Sequence, residues 1–565
     1  MTKPWLAFYD EAVPAQLTVP PLTLGDLLKH SAKRYPNQTA LVFMGARLSY
    51  GRLKTQVDRL AAALAALGVQ PGDRVAIMLP NCPQAVIAYY ATLSLGAVSV
   101  MTNPLYVERE LEHQWRDAGV KVVISLNLFW PQIDAVRQKL AIEHTILGGI
   151  QDYMPWLKRT LAPFELKRRG KWVEVAYGGQ VHAFKKLMTE RYPAPPAIEL
   201  SPDDLACLQY TGGTTGLPKG AMLTHRNLIA SLCQIRSFLL YEHGEGEDVA
   251  LAIMPFFHVY GMNGLMNLAI YLAATLVLIP QPEIKLIVEA IVAERPTFFV
   301  GVPALFMALN NYHSFDRIDL SPIKAMFSGA APLPVDVLET FEARTGARIA
   351  EAYGMTEASS VTHVNPLRGP RKPGSVGVPI LGTEAKIVDV DEPARELGVE
   401  QEGELLIKGP QVMQGYWRNP AETAAAFIDG WLRTGDIARM DRDGYFYIVD
   451  RKKDLILSAG YNVYPREVEE VLYQHPHIQE AAVVGLPDGL RGEKITAYVV
   501  LKTGHSATAA EIRSFCRKRL APYKQPRQVI FVEMLPKSMA GKVLRRELRE
   551  TALAERDKKT ESKED

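Results

Sequence analysis

The sequence predicts an α/β protein: a large N-terminal domain of parallel α/β sheets plus a β-rich subdomain, followed by a small α+β C-terminal domain. Three observations predict it. From residue 22 to 125, and again from 249 to 352, short apolar runs alternate with segments of helical spacing, the pattern of a parallel sheet with right-handed crossovers. From 384 to 449 the runs are short and glycine-punctuated, as in a separate β-rich unit. Asp450–Asp454 is then charged throughout, as an exposed connection between domains is. A chain of 565 residues is too long for one core, so we divide it into 1–450 and 451–565.

In order, Leu22–Tyr35 has helical spacing, with Leu24, Leu27, Leu28 and Ala32 on one face. Ala40–Phe43 and Arg47–Ser49 read as a hairpin around Gly45, and Ser49 caps a helix whose apolar face holds Leu53, Val57, Leu60, Ala61 and Leu64. Arg74–Leu79 is a strand, Pro83–Leu95 an apolar helix stopped by Gly96, and Val98–Met101 the next strand. A helical pattern at Glu108–Ala118 leads to the strand Val120–Ser125. After the Pro- and acid-rich linker Ala197–Asp204, a helix runs from Arg226 to Leu239. Thr297–Val300, Ala325–Ser328 and Arg348–Ala352 are short apolar strands ending in small or polar residues, so several strand ends can line one crevice. Glu384–Val388, Gly403–Lys408 and Tyr445–Val449 supply the β-rich unit. The helices Pro465–Tyr473 and Ala509–Leu520, with strands Ile478–Val484, Thr496–Leu501 and Gln528–Val532, make the small domain. Ala554–Asp565 is so charged that disorder is expected.

Two stretches bear on membranes. Val249–Pro282 contains no Asp, Glu, Lys or Arg. It is long enough to nominate a spanning helix, yet prolines, glycines, asparagines and His258 interrupt it. We read it as a buried strand, Val249–Met254, a helix to Leu272 and a second buried strand, Thr275–Ile279. Gln151–Tyr192 breaks the alternation, with nine Lys/Arg against four Asp/Glu and with Trp156, Leu157, Leu161, Phe164 and Trp172 interleaved. A solvated surface excursion explains it, and so does contact with an anionic membrane surface. Elsewhere the composition is that of a soluble globular protein. A net charge of +2 provides no field aimed at nucleic acid. Cys82, Cys207, Cys233 and Cys516 have no metal-ligand spacing and read as reduced thiols. The N-terminus has no apolar core of a secretory signal and the C-terminal SKED is no peroxisomal address, so a cytoplasmic location is expected.

The chemistry centres on Tyr210–Gly220, YTGGTTGLPKG, which puts four glycines, three threonines and Lys219 into eleven residues after an apolar run. Glycine lets backbone N–H groups approach an anion, threonine hydroxyls add donors, and lysine adds a mobile charge. This describes a loop that wraps a polyphosphate. It is not the loop in which Gly-Lys-Ser/Thr opens a helix, because Lys219 lies between Pro218 and Gly220. The run resembles the phosphate loop of the adenylate-forming superfamily, which includes acyl-CoA synthetases, peptide-synthetase adenylation domains and luciferases. SGAAPL at 328–333 and EAYGMTE at 351–357 match the superfamily too. GVQPGDRVAIMLPN and LGAVSVMTNP match the early region of acyl-CoA synthetases. DGWLRTGDIARMDRDGYFYIVDRKKDLILSAGYNVYPREVE, at 429–469, resembles the signature of bacterial long-chain fatty-acyl-CoA synthetases.

The resemblance runs from about residue 20 to 550 and implies ATP and Mg²⁺, with coenzyme A as cosubstrate and a fatty acid as substrate. It implies that Thr211, Gly212, Gly213, Thr214, Thr215, Gly216 and Lys219 handle phosphate. Gly329 and Ala330 border the adenine and acyl pockets. Glu351, Ala352, Tyr353 and Gly354 bind the cofactor, with Tyr353 stacking on adenine. Thr356 contacts the α-phosphate, and Glu357 with Thr214 holds the metal. Asp436 accepts from the ribose hydroxyls, and Arg451 contacts ribose or phosphate. His258, at a strand end, lies beside the carboxylate, and Lys542 is the adenylation lysine. Lys453 is the pivot of a mobile small domain, and Gly460 lines the pantetheine tunnel. The catalytic set is Lys542, Thr214, Glu357 and His258. A medium-chain or aryl, coumarate-like CoA ligase is the nearest alternative. A non-catalytic lipid-binding protein at the membrane is a distant one, since it leaves the phosphate loop, Glu357 and Lys542 unused. Peripheral contact with the inner membrane face, a homodimer, the preferred chain length and the residue gating the acyl tunnel stay open on this reading.

Overall fold

The structure is a computed structural model that describes residues 3–211, 218–239, 244–313, 315–452, 454–458, 461–488, 492–538 and 541–564. Among the described residues, the alternating pattern of the first 380 residues resolves into two sheets. One has the strand order Val378–Pro379, Ser360–Val364, Ala350–Met355, Ala325–Ser328, Phe298–Gly301, Val249–Ala252, Thr275–Leu278, Thr39–Phe43, Ala46–Ser49. From Thr39–Phe43 across to Ala350–Met355 every pairing is parallel, and the edges are closed by antiparallel hairpins. The other runs Val181–Ala183, His144–Gly148, Val120–Leu126, Arg74–Met78, Val98–Met101, Leu205–Thr211, Lys219–Thr224, and is parallel until its last strand.

Parallel sheets are covered on both faces, and here the two share one cover. The helix Pro83–Ser94 is buried from Pro83 to Leu93, as an all-round apolar helix must be. It lies in the core that joins Leu41 and Phe43 of one sheet with Val75 and Ile77 of the other. Helix starts follow the local chemistry: Thr23 and Asp26 form a reciprocal capping box ahead of Leu24–Arg34, and Ser49 caps Tyr50–Ala66.

The uncharged stretch is internal. Strands Val249–Ala252 and Thr275–Leu278 pair in parallel, and the helix between them runs from Val259 to Tyr271 through a π-helical segment, Met262–Asn267, that is wholly buried. No helix among the described residues is long and apolar enough to cross a membrane.

The β-rich unit is a sheet of Glu384–Val388, Gly403–Lys408, Trp431–Met440 and Phe427–Ile428, with Phe446–Arg451 pairing to Trp431–Met440. Beyond it, helices Pro465–Tyr473 and Ala509–Arg517 pack in one core with strands Ile478–Asp488 and Gly492–Leu501. The C-terminal expectation of disorder is overturned: Arg545–Glu564 is one helix. Its Glu, Lys, Arg and Ala are strong helix formers, so low hydrophobicity did not exclude helix, and Leu548 anchors its first turn in an apolar cluster.

Candidate active site

Parallel strands deliver their C-terminal ends to one edge, where ligands bind in α/β proteins. Strand Leu205–Thr211 ends there at Thr211. Gly212, Gly213, Thr214, Thr215 and Gly216 lie outside the described residues. Lys219 opens the returning strand Lys219–Thr224. Its ammonium pairs with the Glu422 carboxylate and lies 5.1 Å from the centroid of the Tyr416 ring. The Tyr416 hydroxyl donates to Glu357 Oε1 at 2.8 Å. The Met413 N–H also donates to the Glu357 carbonyl at 2.8 Å. Segment 413–416 thus ties Glu357 to the strand pair Leu205–Thr211 and Lys219–Thr224. Sequence reasoning missed Tyr416, although QGYW at 414–417 puts a glycine before two aromatics.

Glu357 follows strand Ala350–Met355 in the short turn Thr356–Ala358. Four of the expected nucleotide residues lie on that strand, and they differ in what they offer. The Tyr353 hydroxyl donates to Asp436 Oδ2 at 2.6 Å. Burial and the Asp436 charge hold this phenol well above its ordinary range, so it stays a donor. Arg451 Nε lies 3.5 Å from Asp436 Oδ1, and Asp436 retains lone pairs for a further donor. Tyr353, Asp436 and Arg451 are therefore brought together. Glu351 is buried, its carboxylate accepts from Gly374 N at 3.1 Å, and its carbonyl accepts from Asn365 N at 3.0 Å. Burial pushes its carboxyl up to about 7. Both its polar groups are already engaged by the protein, so it buttresses the strand. Ala352 is half-buried. Gly354 is needed by the hairpin itself: a Cβ there would stand 1.6 Å from the Ser360 carbonyl oxygen.

Gly329 lies one strand over, where a Cβ would come within 3.2 Å of the Ala352 carbonyl oxygen and 3.3 Å of the Tyr260 hydroxyl. Ala330 beside it has φ +67°. A left-handed alanine costs roughly 1–2 kcal/mol, strain of the kind that collects at functional turns.

His258 caps the helix that begins at Val259. Its Nδ1 accepts from Tyr260 N at 3.2 Å, which puts the ring proton of the neutral form on Nε2. Burial pushes its pKa down to about 4, and the positive charge of Lys542 adds to the effect. His258 is therefore a neutral Nε2–H donor at ordinary pH. Two side chains set its turn. Asn81 donates to the carbonyls of Ala252 and Met254 at 2.9 Å and accepts from Phe256 N at 3.0 Å. Gln209, two residues before Thr211, donates to the Phe257 carbonyl. Gln209 lies on a strand of the second sheet and Asn81 in the turn after its strand Arg74–Met78, so they lock the two strand-end edges together. Neither was found from sequence, because each acts over a long separation.

Lys542 reaches this edge from the small domain. Its loop closes on itself, Ser538 N donating to the Lys542 carbonyl at 2.7 Å. A Cβ on Gly541 would touch Val302 Cγ2 at 3.2 Å, so the loop lies against the turn that follows strand Phe298–Gly301. Three residues on, Arg545 joins the small domain to the boundary. It meets Glu469 at 2.7 Å, Asp454 at 3.2 Å and the buried Asp450 at 3.9 Å. Arg545 was not singled out from sequence. The expected pivot Lys453 and tunnel residue Gly460 lie outside the described residues.

The strand-end edge thus carries a neutral imidazole donor, two cationic side chains, a carboxylate beside the Lys219 strand and a tyrosine–aspartate–arginine group. No cluster of three metal-ligating side chains occurs among the described residues. A lone carboxylate suits Mg²⁺, which takes one or two carboxylates together with substrate phosphates. Glu357 fits that requirement.

The chain matches the family described as AMP-binding enzyme over residues 28–417 and AMP-binding enzyme C-terminal domain over 467–542. It is 45% identical over 551 residues to a long-chain-fatty-acid–CoA ligase of Bacillus subtilis (strain 168), covering 97% of this chain and 98% of that one. To a long-chain-fatty-acid–CoA ligase of Salmonella typhimurium it is 40% identical over 563 residues, covering 99% and 100%. The crystal structure of ATP-bound MatB from Rhodopseudomonas palustris superposes with a TM-score of 0.83 at 30% identity, covering 94% of this chain and 99% of that one.

Proposed function

This chain belongs to the AMP-binding enzyme family, and we propose that it activates a long-chain fatty acid in two half-reactions. It is an AMP-forming acid–CoA ligase. In the first half a carboxylate oxygen attacks the α-phosphorus of ATP, the new C(O)O–P bond forms, and the bond to pyrophosphate breaks. In the second the thiol sulfur of coenzyme A attacks the acyl carbonyl, a C–S bond forms, AMP leaves with its oxygen, and the thiol proton passes to solvent. The observation that supports this reading is the Lys542 loop, in which a Cβ on Gly541 would lie 3.2 Å from Val302 at the turn after strand Phe298–Gly301, with the Lys542 charge felt by the buried His258.

Both reactants of the first half are anions, so the protein must supply positive potential where charge builds up. Lys542 contributes it directly, and the phosphate loop 211–219 contributes backbone and hydroxyl donors. His258 Nε2–H orients the fatty carboxylate, which needs no general base because it is already ionised near neutral pH. Tyr353 stacks on adenine while Asp436 and Arg451 hold ribose. Glu357, with Thr214, would hold Mg²⁺, which when bound neutralises phosphate charge. The two working units are 1–450 and 451–565 with a hinge near Lys453. Rotation about that hinge withdraws Lys542 and brings Gly460 alongside the arriving thiol. We place the enzyme in the cytoplasm, with a homodimer as the assembly to test by sedimentation.

An alkyl pocket favours long chains because each buried methylene contributes about 0.8 kcal/mol. Eight extra carbons give roughly 6 kcal/mol on that scale, ample to prefer sixteen carbons over eight. ATP–pyrophosphate exchange across acids of six to eighteen carbons, with coumarate as the aryl comparator, tests the reading. Exchange that rises with chain length supports it. Exchange driven best by coumarate or hexanoate overturns it.

A further inference from the structure

The helix Trp156–Arg168 takes no part in the chemistry above. Four of its large apolar side chains are exposed: Trp156 at 72%, Leu157 at 53%, Leu161 at 56% and Phe164 at 74%. A single exposed leucine needs no explanation, but four within three turns form a patch. Leu157, Leu161 and Phe164 stand at i, i+4 and i+7, which is one face of a helix, and Trp156 flanks them at its start. The opposite side is held down. Lys158 Nζ donates to the Met44 carbonyl at 2.9 Å, and Ala162 and Leu166 are half-buried. The apolar stripe therefore points outward by construction.

The charge around the stripe is net positive. Lys167, Arg168, Arg169 and Lys171 are exposed at the end of the helix. Glu165, the one acid on it, is neutralised by Arg168 at 2.8 Å and Arg169 at 2.6 Å. The location matters as well. Met44 follows strand Thr39–Phe43, which runs parallel, through Thr275–Leu278 and Val249–Ala252, with Phe298–Gly301. The helix itself follows the end of His144–Gly148, a parallel member of the sheet that carries Thr211. The patch thus lies at the same end of both sheets as the candidate site. In the first sheet, three strand spacings, about 15 Å, separate Thr39–Phe43 from Phe298–Gly301.

We propose that this helix docks the protein on an anionic lipid bilayer. The apolar stripe enters the boundary between headgroups and acyl chains, and the lysines and arginines contact lipid phosphates, as in interfacial helices. The strand-end edge then faces the phase in which a long-chain acid dissolves. This last point rests on the fatty-acid reading above. A second copy of the chain is disfavoured as the occupant, because it would press two positively charged faces together.

The test is sedimentation of the full chain with vesicles of phosphatidylglycerol and phosphatidylcholine, against vesicles of phosphatidylcholine alone. The wild type is expected to pellet with the anionic vesicles, less so as salt rises. The variant Leu157→Ser/Leu161→Ser/Phe164→Ser should lower the partition constant at least tenfold, and Lys167→Gln/Arg168→Gln/Lys171→Gln should weaken the salt dependence. Both should turn over acid presented in detergent micelles at the wild-type rate and acid embedded in anionic vesicles more slowly. Wild type that stays in the supernatant, or a serine variant that pellets equally, overturns the proposal. So does a serine variant that only converts a dimer to a monomer. Vesicle binding is read without turnover, and the micellar assay reads the fatty-acid activity alone, so either can fail separately.

Discussion

Arg545→Ala should unfasten the small domain. The guanidinium makes three hydrogen bonds to Glu469, at 2.7, 2.9 and 3.2 Å, and reaches Asp454 at 3.2 Å. Glu469 and Asp450 are both buried, and Glu469 also accepts from Val483 N at 2.8 Å. These carboxylates hold Arg545 firmly ionised. Removing the cation leaves two buried acids without their counter-charge, and breaking such a pair costs roughly 3–5 kcal/mol. In a domain of this size each kcal/mol shifts the midpoint by about 4–8 °C. The small-domain transition should therefore fall by more than about 10 °C. Among the described residues the large domain meets Arg545 through Asp450 at 3.9 Å, a long contact beside those to Glu469, so its own transition should move far less. Scanning calorimetry with two resolved transitions reads this. Pyrophosphate exchange should drop as well, because Lys542 lies three residues upstream on the same loop. Arg545→Lys keeps the charge but loses the fork and should fall between. A variant whose small-domain transition stays within a degree of wild type would show that the network does not hold the loop.

Lys542→Ala should abolish pyrophosphate exchange yet still convert supplied acyl-AMP to acyl-CoA, while Gly460→Leu does the reverse; equal loss of both halves in both variants excludes a two-position lid. His258→Ala removes a donor to a charged group, worth about 1.5–3 kcal/mol, so exchange should fall roughly ten- to a hundredfold. Because the His258 pKa lies near 4, wild-type exchange should show no histidine limb between pH 6 and 7. Burial raises the Asp450 carboxyl to about 6 in the folded state, against an unfolded value near 3.9. The native protein then binds the extra proton between those values, so this group's contribution is complete below about pH 4 and is lost as pH rises through about 6. The loss is about 3 kcal/mol, and Asp450→Asn should flatten that slope in denaturant titrations. Gly354→Ala places a Cβ against the Ser360 carbonyl; relieving the clash costs about 1–3 kcal/mol, and a variant with wild-type stability and exchange would remove the steric argument.

Much of this molecule follows from local sequence. Val249–Ala252, Phe298–Gly301 and Ala325–Ser328 are legible because continuous apolar runs mark strands covered on both faces. Glu384–Val388 and Gly403–Lys408 have the bounds read from their alternation. Tyr353, Glu357 and Asp436 stand in contiguous motifs, which is why a resemblance can single them out. The helix at the C-terminus was misread, because charge density measures hydrophobicity and says little about helix propensity.

By itself, then, the sequence determined much of the order of strands and helices and the strand ends available for chemistry. These depend on periodicity and glycine placement over a few residues. Only the tertiary structure decided that Tyr416 answers Glu357 from 59 residues away, that Gln209 and Asn81 lock two sheets at His258, and that Arg545 ties the lysine loop to the boundary. It also decided that the stripe on Trp156–Arg168 faces outward. A hydrogen-bond partner or a buried face is a property of what packs opposite. That is fixed by the sum of apolar burial over the whole chain, which no short window of residues contains.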